Sequence, residues 1–187
     1  MSTNDQLQEQ PKSQAQQDYD EGLQKIKDNA LPQAAVAFHN ALLGFEEQGD
    51  QPGIARASTK LAEVCLMSEE PAKALEHLHR ALPICQAADD HLSVTYLEKQ
   101  IFYTNLDLQN YDEALARGVE LLAAYQDYNN PAGAVEILEK LSEIYQATGD
   151  PAKAAESLRT AASSHQNFKH QRSAQKLLDQ AEAIARA

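Results

Sequence analysis

A chain of 187 residues with 28 acidic and 16 basic side chains has a formal net charge of −12, so it repels phosphate backbones and anionic lipid surfaces. We therefore expect neither nucleic acid nor a membrane as a partner, and no run of residues approaches the roughly 18 apolar residues of a membrane-spanning helix. The chain has seven glycines and seven prolines, and its many Ala, Leu, Glu, Gln and Lys residues favour helix over strand.

The N-terminal segment is polar and rich in glutamine, and it lacks the apolar core of an export signal. Such a segment cannot bury enough apolar surface to fold on its own. We therefore predict a disordered polar tail over residues 1–13. The lack of a targeting signal predicts a cytoplasmic location for this acidic protein.

From residue 14 onward, apolar residues recur at helical spacing and are interrupted by short polar breaks. This pattern predicts helices over residues 14–29, 32–48, 52–68, 71–88, 91–108, 111–128, 132–148, 151–166 and 170–186. Pro71, Pro131 and Pro151 come at or next to the start of a helix, where a missing N–H is tolerated. Pro83 instead falls inside the fourth helix, which it is expected to kink.

A regular repeat relates the second helix of each pair. Ala34, Ala74, Ala114 and Ala154 follow one another at steps of 40 residues. A fixed period of this size is typical of a solenoid, in which each repeat buries its apolar face against its neighbours. The predicted domain, residues 14–187, contains repeats at about 14–50, 51–90, 91–130 and 131–168, and a capping helix at 170–186.

The motifs of these repeats resemble those of the tetratricopeptide repeat (TPR) family over about residues 15–187. DEALA at Asp112–Ala116 and PAKA at Pro71–Ala74 open second helices, and TGD at Thr148–Asp150 forms a turn. The resemblance implies an all-α fold, a right-handed superhelical solenoid of antiparallel helix hairpins with about nine helices. The period of 40 residues departs from the roughly 34 of the family. Phe102 and Gly118 exchange the usual small and large positions, so the third repeat is expected to pack atypically.

The resemblance also implies a function, because repeats of this family hold a peptide or a partner helix in a concave groove lined by their first helices. We therefore expect a protein-interaction scaffold or adaptor. The groove would pass from an aromatic and basic centre, where two tyrosines on one helix face are plausible anchors, to an acidic C-terminal end. The acidic end predicts a ligand with Lys or Arg beside apolar residues. The predicted partner-binding residues are Arg56, Lys60, Tyr96, Lys99, Tyr103, Glu136, Glu139 and Glu143.

Other interpretations of the same residues stay open. The tyrosines could cover apolar surface between adjacent repeats, and the glutamates could form a solvated helix face. The whole chain could also be a structural scaffold that self-assembles into a homo-oligomer, or a sensor of a signalling peptide.

No catalytic or metal-binding pattern is present in the sequence. His77 and His79 are two residues apart on a predicted helix and point in different directions, so they cannot share one ion. Motifs for zinc hydrolases, phosphate loops and serine nucleophiles are missing. We expect no enzymatic activity, no cofactor and no metal. Cys65 and Cys85 are predicted to be free buried thiols, because they lie about 16 Å apart along their hairpin and a disulfide needs Cα atoms within about 7 Å.

Overall fold

The computed structural model describes residues 12–186, which form nine α-helices and no strand. The predicted all-α fold is confirmed, and predicted helix bounds agree to within two residues at the end of α1 and one residue elsewhere. The predicted tail at 1–13 lies outside the described residues except for its last two, of which Ser13 caps α1. The helices are α1 (Gln14–Lys27), α2 (Leu31–Gln48), α3 (Gln51–Met67), α4 (Pro71–Ala87), α5 (His91–Asp107), α6 (Tyr111–Asp127), α7 (Pro131–Ala147), α8 (Pro151–Asn167) and α9 (Gln171–Arg186).

Successive helices are joined by short connections that share the same backbone conformation and hydrogen bond. After each connecting residue of positive φ, the next N–H donates to the carbonyl five residues before it, as Asp50 does to Phe45 at 2.9 Å and Asp150 to Tyr145 at 2.7 Å. This hydrogen bond closes a Schellman motif, which satisfies carbonyls at the end of a helix. The residues of positive φ recur every 20 residues, at Asn29, Gly49, Glu69, Asp89, Gln109, Asn129, Gly149 and Lys169. Two of the eight are glycines, so the other six are side-chain-bearing residues held in a conformation that glycine adopts more easily.

Polar caps fix where several helices begin. Asp50, Asp90 and Asn130 accept hydrogen bonds from the backbone N–H three residues later, at 3.0 to 3.1 Å, and begin α3, α5 and α7. Asp150 caps α8 in the same way, since its side chain accepts a hydrogen bond from Lys153 N at 3.1 Å. Helix α4 continues through Pro83, and the kink expected there stays a prediction.

The chain forms two compact units, which divide within α4 between Ile84 and Cys85. In the first unit the core is aromatic: Tyr19 packs edge-on against Phe38 with ring centroids 5.4 Å apart. Gly22 allows this approach, because a Cβ at that position would lie 2.6 Å from a ring carbon of Phe38. Helices α1 and α2 therefore pack closely through a small residue on the first helix and a large one on the second.

The second unit inverts this arrangement in its first hairpin. Phe102 on α5 is fully buried, and Gly118 stands opposite it on α6. A Cβ on Gly118 would lie 2.7 Å from Leu141 and 3.1 Å from Phe102. The atypical packing expected for the third repeat is thus confirmed, with the large residue on the first helix. Ala114 and Ala154 are fully buried, as their repeat positions predict.

A buried charge also joins α5 and α6. Glu98 is 6% exposed, and Arg117 donates to both of its carboxylate oxygens at 3.2 and 3.3 Å. Burial raises the pKa of Glu98 even though Arg117 acts in the opposite direction. Arg117 also contacts Glu113 and Glu120, at 2.9 and 2.7 Å, so its guanidinium has three carboxylate partners. Cys65 and Cys85 are free and buried, as predicted.

Candidate functional site

Two of the predicted binding residues lie on α3 in the first unit. The Arg56 guanidinium carbon stands 5.2 Å from the ring centroid of Tyr19 and 5.6 Å from that of Phe45, within the range of a cation–π contact. Lys60 is half-buried, and its Nζ lies 2.7 Å from Glu63 Oε2. The two basic groups are therefore held in place by neighbours in their own unit.

In the second unit, the structure brings together three of the predicted residues from two helices. Lys99 and Tyr103 lie one turn apart on α5, and Glu136 lies on α7. Lys99 Nζ donates to Glu136 Oε2 at 2.9 Å, and Tyr103 Oη donates to Glu136 Oε1 at 2.5 Å. We call these three residues the α5–α7 cluster. Since Glu136 neutralises Lys99, the basic character expected of this surface is largely compensated.

The protonation of this cluster follows from its hydrogen bonds. Burial would raise the pKa of Glu136, but the hydrogen bonds from Lys99 and Tyr103 outweigh it and hold that pKa below its usual value. Burial, followed by the hydrogen bond to Glu136, raises the pKa of Tyr103. At neutral pH the carboxylate is therefore ionised and the phenol protonated, which is the state in which all three groups pair.

The sequence analysis missed an apolar residue beside this cluster. Leu92 on α5 is 81% exposed, and Tyr96, one turn further along, is 41% exposed. Residues four apart share a helix face, so Leu92 extends the line that runs through Tyr96 towards Tyr103. The spacing alone could have found it. Leu92 and Tyr96 therefore present adjoining apolar surface to solvent on this face of α5.

The remaining predicted residues, Glu139 and Glu143, lie further along α7 on the same face as Glu136. Glu143 pairs with Lys140 on its own helix, at 2.8 Å. Both glutamates line a cavity of about 310 Å³ between α7 and α9. The three glutamates thus divide between two settings, since Glu136 joins the α5–α7 cluster and the other two face the cavity.

Over residues 12–186, no helix combines the length and the apolar character that crossing a bilayer requires. The same residues contain no group of three or more His, Cys, Asp or Glu side chains placed to hold a metal ion.

Comparison with known proteins identifies the fold. No family model matches the chain, and no curated protein sequence is significantly similar to it. Among solved structures, the apo form of RapI superposes with a TM-score of 0.77 at 17% identity, over 92% of this chain and 49% of RapI. BtubC from P. vanneervenii gives 0.61 at 15% identity, over 91% of this chain and 79% of its own. MamA gives 0.57 at 16% identity, over 88% and 94%.

These likenesses define the class of structure: the chain has a TPR-like helical-repeat fold. The fold implied by the sequence motifs is therefore confirmed. The chain spans about half the length of RapI.

Proposed function

We propose that this chain is a protein-interaction module that binds a segment of a partner protein along the first helices of its repeats, with α5 as the main contact in the second unit. The observation that carries the proposal is the exposure of Leu92 and Tyr96 on one face of α5, at 81% and 41%. Tyrosine is enriched at the positions that supply most of the binding energy at protein interfaces, and burying an exposed leucine side chain adds a hydrophobic contribution.

The α5–α7 cluster supports the same surface. Because Lys99 and Tyr103 are held by Glu136, their side chains are ordered before a partner arrives, and less conformational entropy is lost on binding. The cluster also borders the apolar pair with groups that can form hydrogen bonds, as the rim of an interface does. The binding roles of Arg56 and Lys60 in the first unit, and of the other predicted residues, stay predictions.

A matched pair of variants tests the proposal. Leu92→Ser with Tyr96→Ala removes the apolar pair on α5. Val119→Ser with Tyr128→Ala removes two residues of comparable exposure, 59% and 47%, from elsewhere in the same unit. Partners captured from native lysate by the wild-type chain are identified, purified and titrated against both variants. We expect the α5 variant to lose affinity by at least tenfold and the control to keep it.

If both folded variants keep the partner with unchanged affinity, the α5 surface is wrong as the site. A chain that captures only itself, and whose mass by light scattering rises with concentration, favours the alternative of a self-assembling scaffold. A sensor of a signalling peptide is the remaining alternative. The expectations of a cytoplasmic location and of no enzymatic activity stay predictions.

A further inference from the structure

The cavity between α7 and α9 has a chemical character that the proposed binding along α5 does not explain. It measures about 310 Å³ and lies within the second unit. Its polar lining comes from the carboxylates of Glu139 and Glu143, the amides of Gln146 and Gln180, and the hydroxyl-bearing Ser142. Among the described residues no lysine, arginine or histidine lines it, so the cavity offers mainly hydrogen-bond acceptors and negative charge.

Ser142 provides an observation independent of the acidic residues. It is 1% exposed, and its Oγ is buried without a hydrogen-bond partner among residues 12–186. A buried hydroxyl without a partner is unfavourable, and native proteins rarely keep one without a reason. A donor that entered the cavity next to Ser142 would satisfy this oxygen.

Glu139 is also without a partner. Glu143 is paired with Lys140, whereas Glu139 forms no hydrogen bond or ion pair with any residue between 12 and 186. It is half-buried at the cavity. A partly buried carboxylate without a cation favours a positively charged ligand, because the pair gains more in this setting than in water.

The repeat explains why the cavity exists. Forty residues earlier, the positions of Ser142 and Glu143 are occupied by Phe102 and Tyr103, whose rings pack edge-on with centroids 5.1 Å apart. Tyr103 reaches from α5 to Glu136 on α7. In the cavity, serine and glutamate stand at the positions of these two rings, so this part of its lining is polar and carries no aromatic ring.

We propose that this cavity binds the guanidinium group of an arginine side chain in the partner's segment. That the arginine belongs to a partner protein rests on the proposed function. Arginine carries five N–H donors and no acceptor, which suits a cavity lined by Glu139, Ser142 and glutamine side-chain oxygens. Guanidinium is also less strongly hydrated than the lysine ammonium, so it is preferred in buried ion pairs. The volume is at the small end of ligand pockets, roughly 300–1,000 Å³, as a single side chain requires.

The test uses a probe that does not depend on knowing the partner. Nα-acetyl-arginine amide is titrated into the ¹⁵N-labelled chain at constant ionic strength, and the side-chain amide signals of Gln146 and Gln180 are followed by NMR. We expect saturable shifts with a Kd on the order of 1 mM, a value typical of weak binding by a small fragment. The same probe built on citrulline, which is neutral and similar in shape, should give no saturable shift.

Matched variants locate the interaction. Glu139→Gln should weaken arginine binding about tenfold, which is about 1.4 kcal/mol. Glu156→Gln makes the same charge change at an exposed position on α8 and should leave the Kd unchanged. Ser142→Ala should weaken binding a few-fold without lowering the melting temperature, because the hydroxyl has no partner to lose in the free protein.

The proposal is overturned if arginine amide causes no saturable shifts at Gln146 and Gln180, or if Glu139→Gln and Glu156→Gln change its Kd equally. Failure here and failure of the proposed function are distinguishable. If the chain does not bind arginine amide but a partner still requires Leu92 and Tyr96, the proposed α5 binding surface is supported and only the proposed role of the cavity is rejected.

Discussion

Tyr103 on α5 donates its hydroxyl proton to Glu136 on α7 over 2.5 Å, although 33 residues separate them in the chain. The bond links the first helices of two successive repeats directly, side chain to side chain. The bond belongs to the surface that we propose as the binding site, and it forms within the chain alone. Its contribution to the free energy of unfolding can therefore be measured without a partner.

Replacing Tyr103 by phenylalanine removes this hydrogen bond and keeps the ring. We expect the free energy of unfolding to fall by about 1 kcal/mol, as for a typical hydrogen bond. The loss is not larger because Glu136 still accepts the hydrogen bond from Lys99 and water can replace the tyrosine hydroxyl. Urea unfolding followed by circular dichroism measures the change. Tyr128→Phe, at an exposed position, is the control and should be neutral. A Tyr103→Phe protein as stable as the wild type would show that the bond contributes nothing.

The same hydrogen bond affects how the contribution of Glu136 to the free energy of unfolding depends on pH. Its folded-state pKa is lowered, so the stabilisation is present above the unfolded-state pKa and is lost as pH falls through the folded-state pKa. In Tyr103→Phe and in Lys99→Met, the Glu136 pKa should rise towards its usual value, so the stabilisation that is lost on acidification becomes smaller. Carboxyl ¹³C NMR titration measures the shift directly. An unchanged midpoint in both variants would contradict the assigned cause.

The inverted pair in the second unit predicts a non-additive result. Phe102→Ala should cost about 3–5 kcal/mol as a large-to-small core change, and Gly118→Leu alone should be strongly destabilising because its side chain meets Leu141 and Phe102. The double variant restores the small-first, large-second arrangement of Gly22 and Phe38. We expect a favourable coupling energy of about 1–3 kcal/mol, measured by a double-mutant cycle of unfolding. Strict additivity would mean that the two residues do not compensate each other.

How far the sequence could predict this structure depends on the type of feature. Helix bounds were predictable because close packing restricts which residue types can occupy a position. It therefore produces the apolar periodicity and the regular steps between alanines such as Ala114 and Ala154. The connections were less visible: residues such as Glu69 and Gln109 carry no signal for a positive φ, whereas glycine, asparagine and aspartate at the equivalent positions do. A period fixes which helices are neighbours, but it does not fix rotamers.

The candidate site shows the same limit. The repeat step placed Lys99, Tyr103 and Glu136 on one surface, yet their pairing depends on side-chain torsions that no spacing determines. For this reason the sequence predicted a basic centre where the structure has a neutralised one. The Glu98–Arg117 pair was missed because a glutamate on a helix is usually exposed, and its burial depends on the packing of α5 against α6.

The close packing of second helices can be tested at Ala154, which is fully buried. Ala154→Arg forces bulk and an unpaired charge into this contact, and we expect a loss of about 3 kcal/mol or more. Ala152→Arg, at an exposed position two residues earlier on the same helix, should be nearly neutral. Thermal and urea unfolding compare the two. A loss below about 0.5 kcal/mol at Ala154, typical of a surface site, would contradict the repeat register.

A connecting residue offers a change in the opposite direction. Gln109 has a φ of +59°, which costs an L-residue roughly 1–2 kcal/mol. Gln109→Gly removes this strain at some entropic cost in the unfolded chain, so we expect a net gain of about 0.5–1 kcal/mol. Gly149→Ala, at φ +80°, should lose a similar amount. Both changes are read from urea midpoints, and a gain in both or a loss in both would disagree with this account.

The uniform connections also determine how such a chain can change its length. Positions 109 and 149 have the same place in two equivalent connections. Deleting residues 110–149 would therefore join two chain ends with matching backbone conformation, and it would remove one pair of helices without requiring a new loop. Insertion of a hairpin has the same property. The number of hairpins, and with it the length of the surface that we propose for partner binding, can therefore vary in whole steps while each connection keeps its geometry.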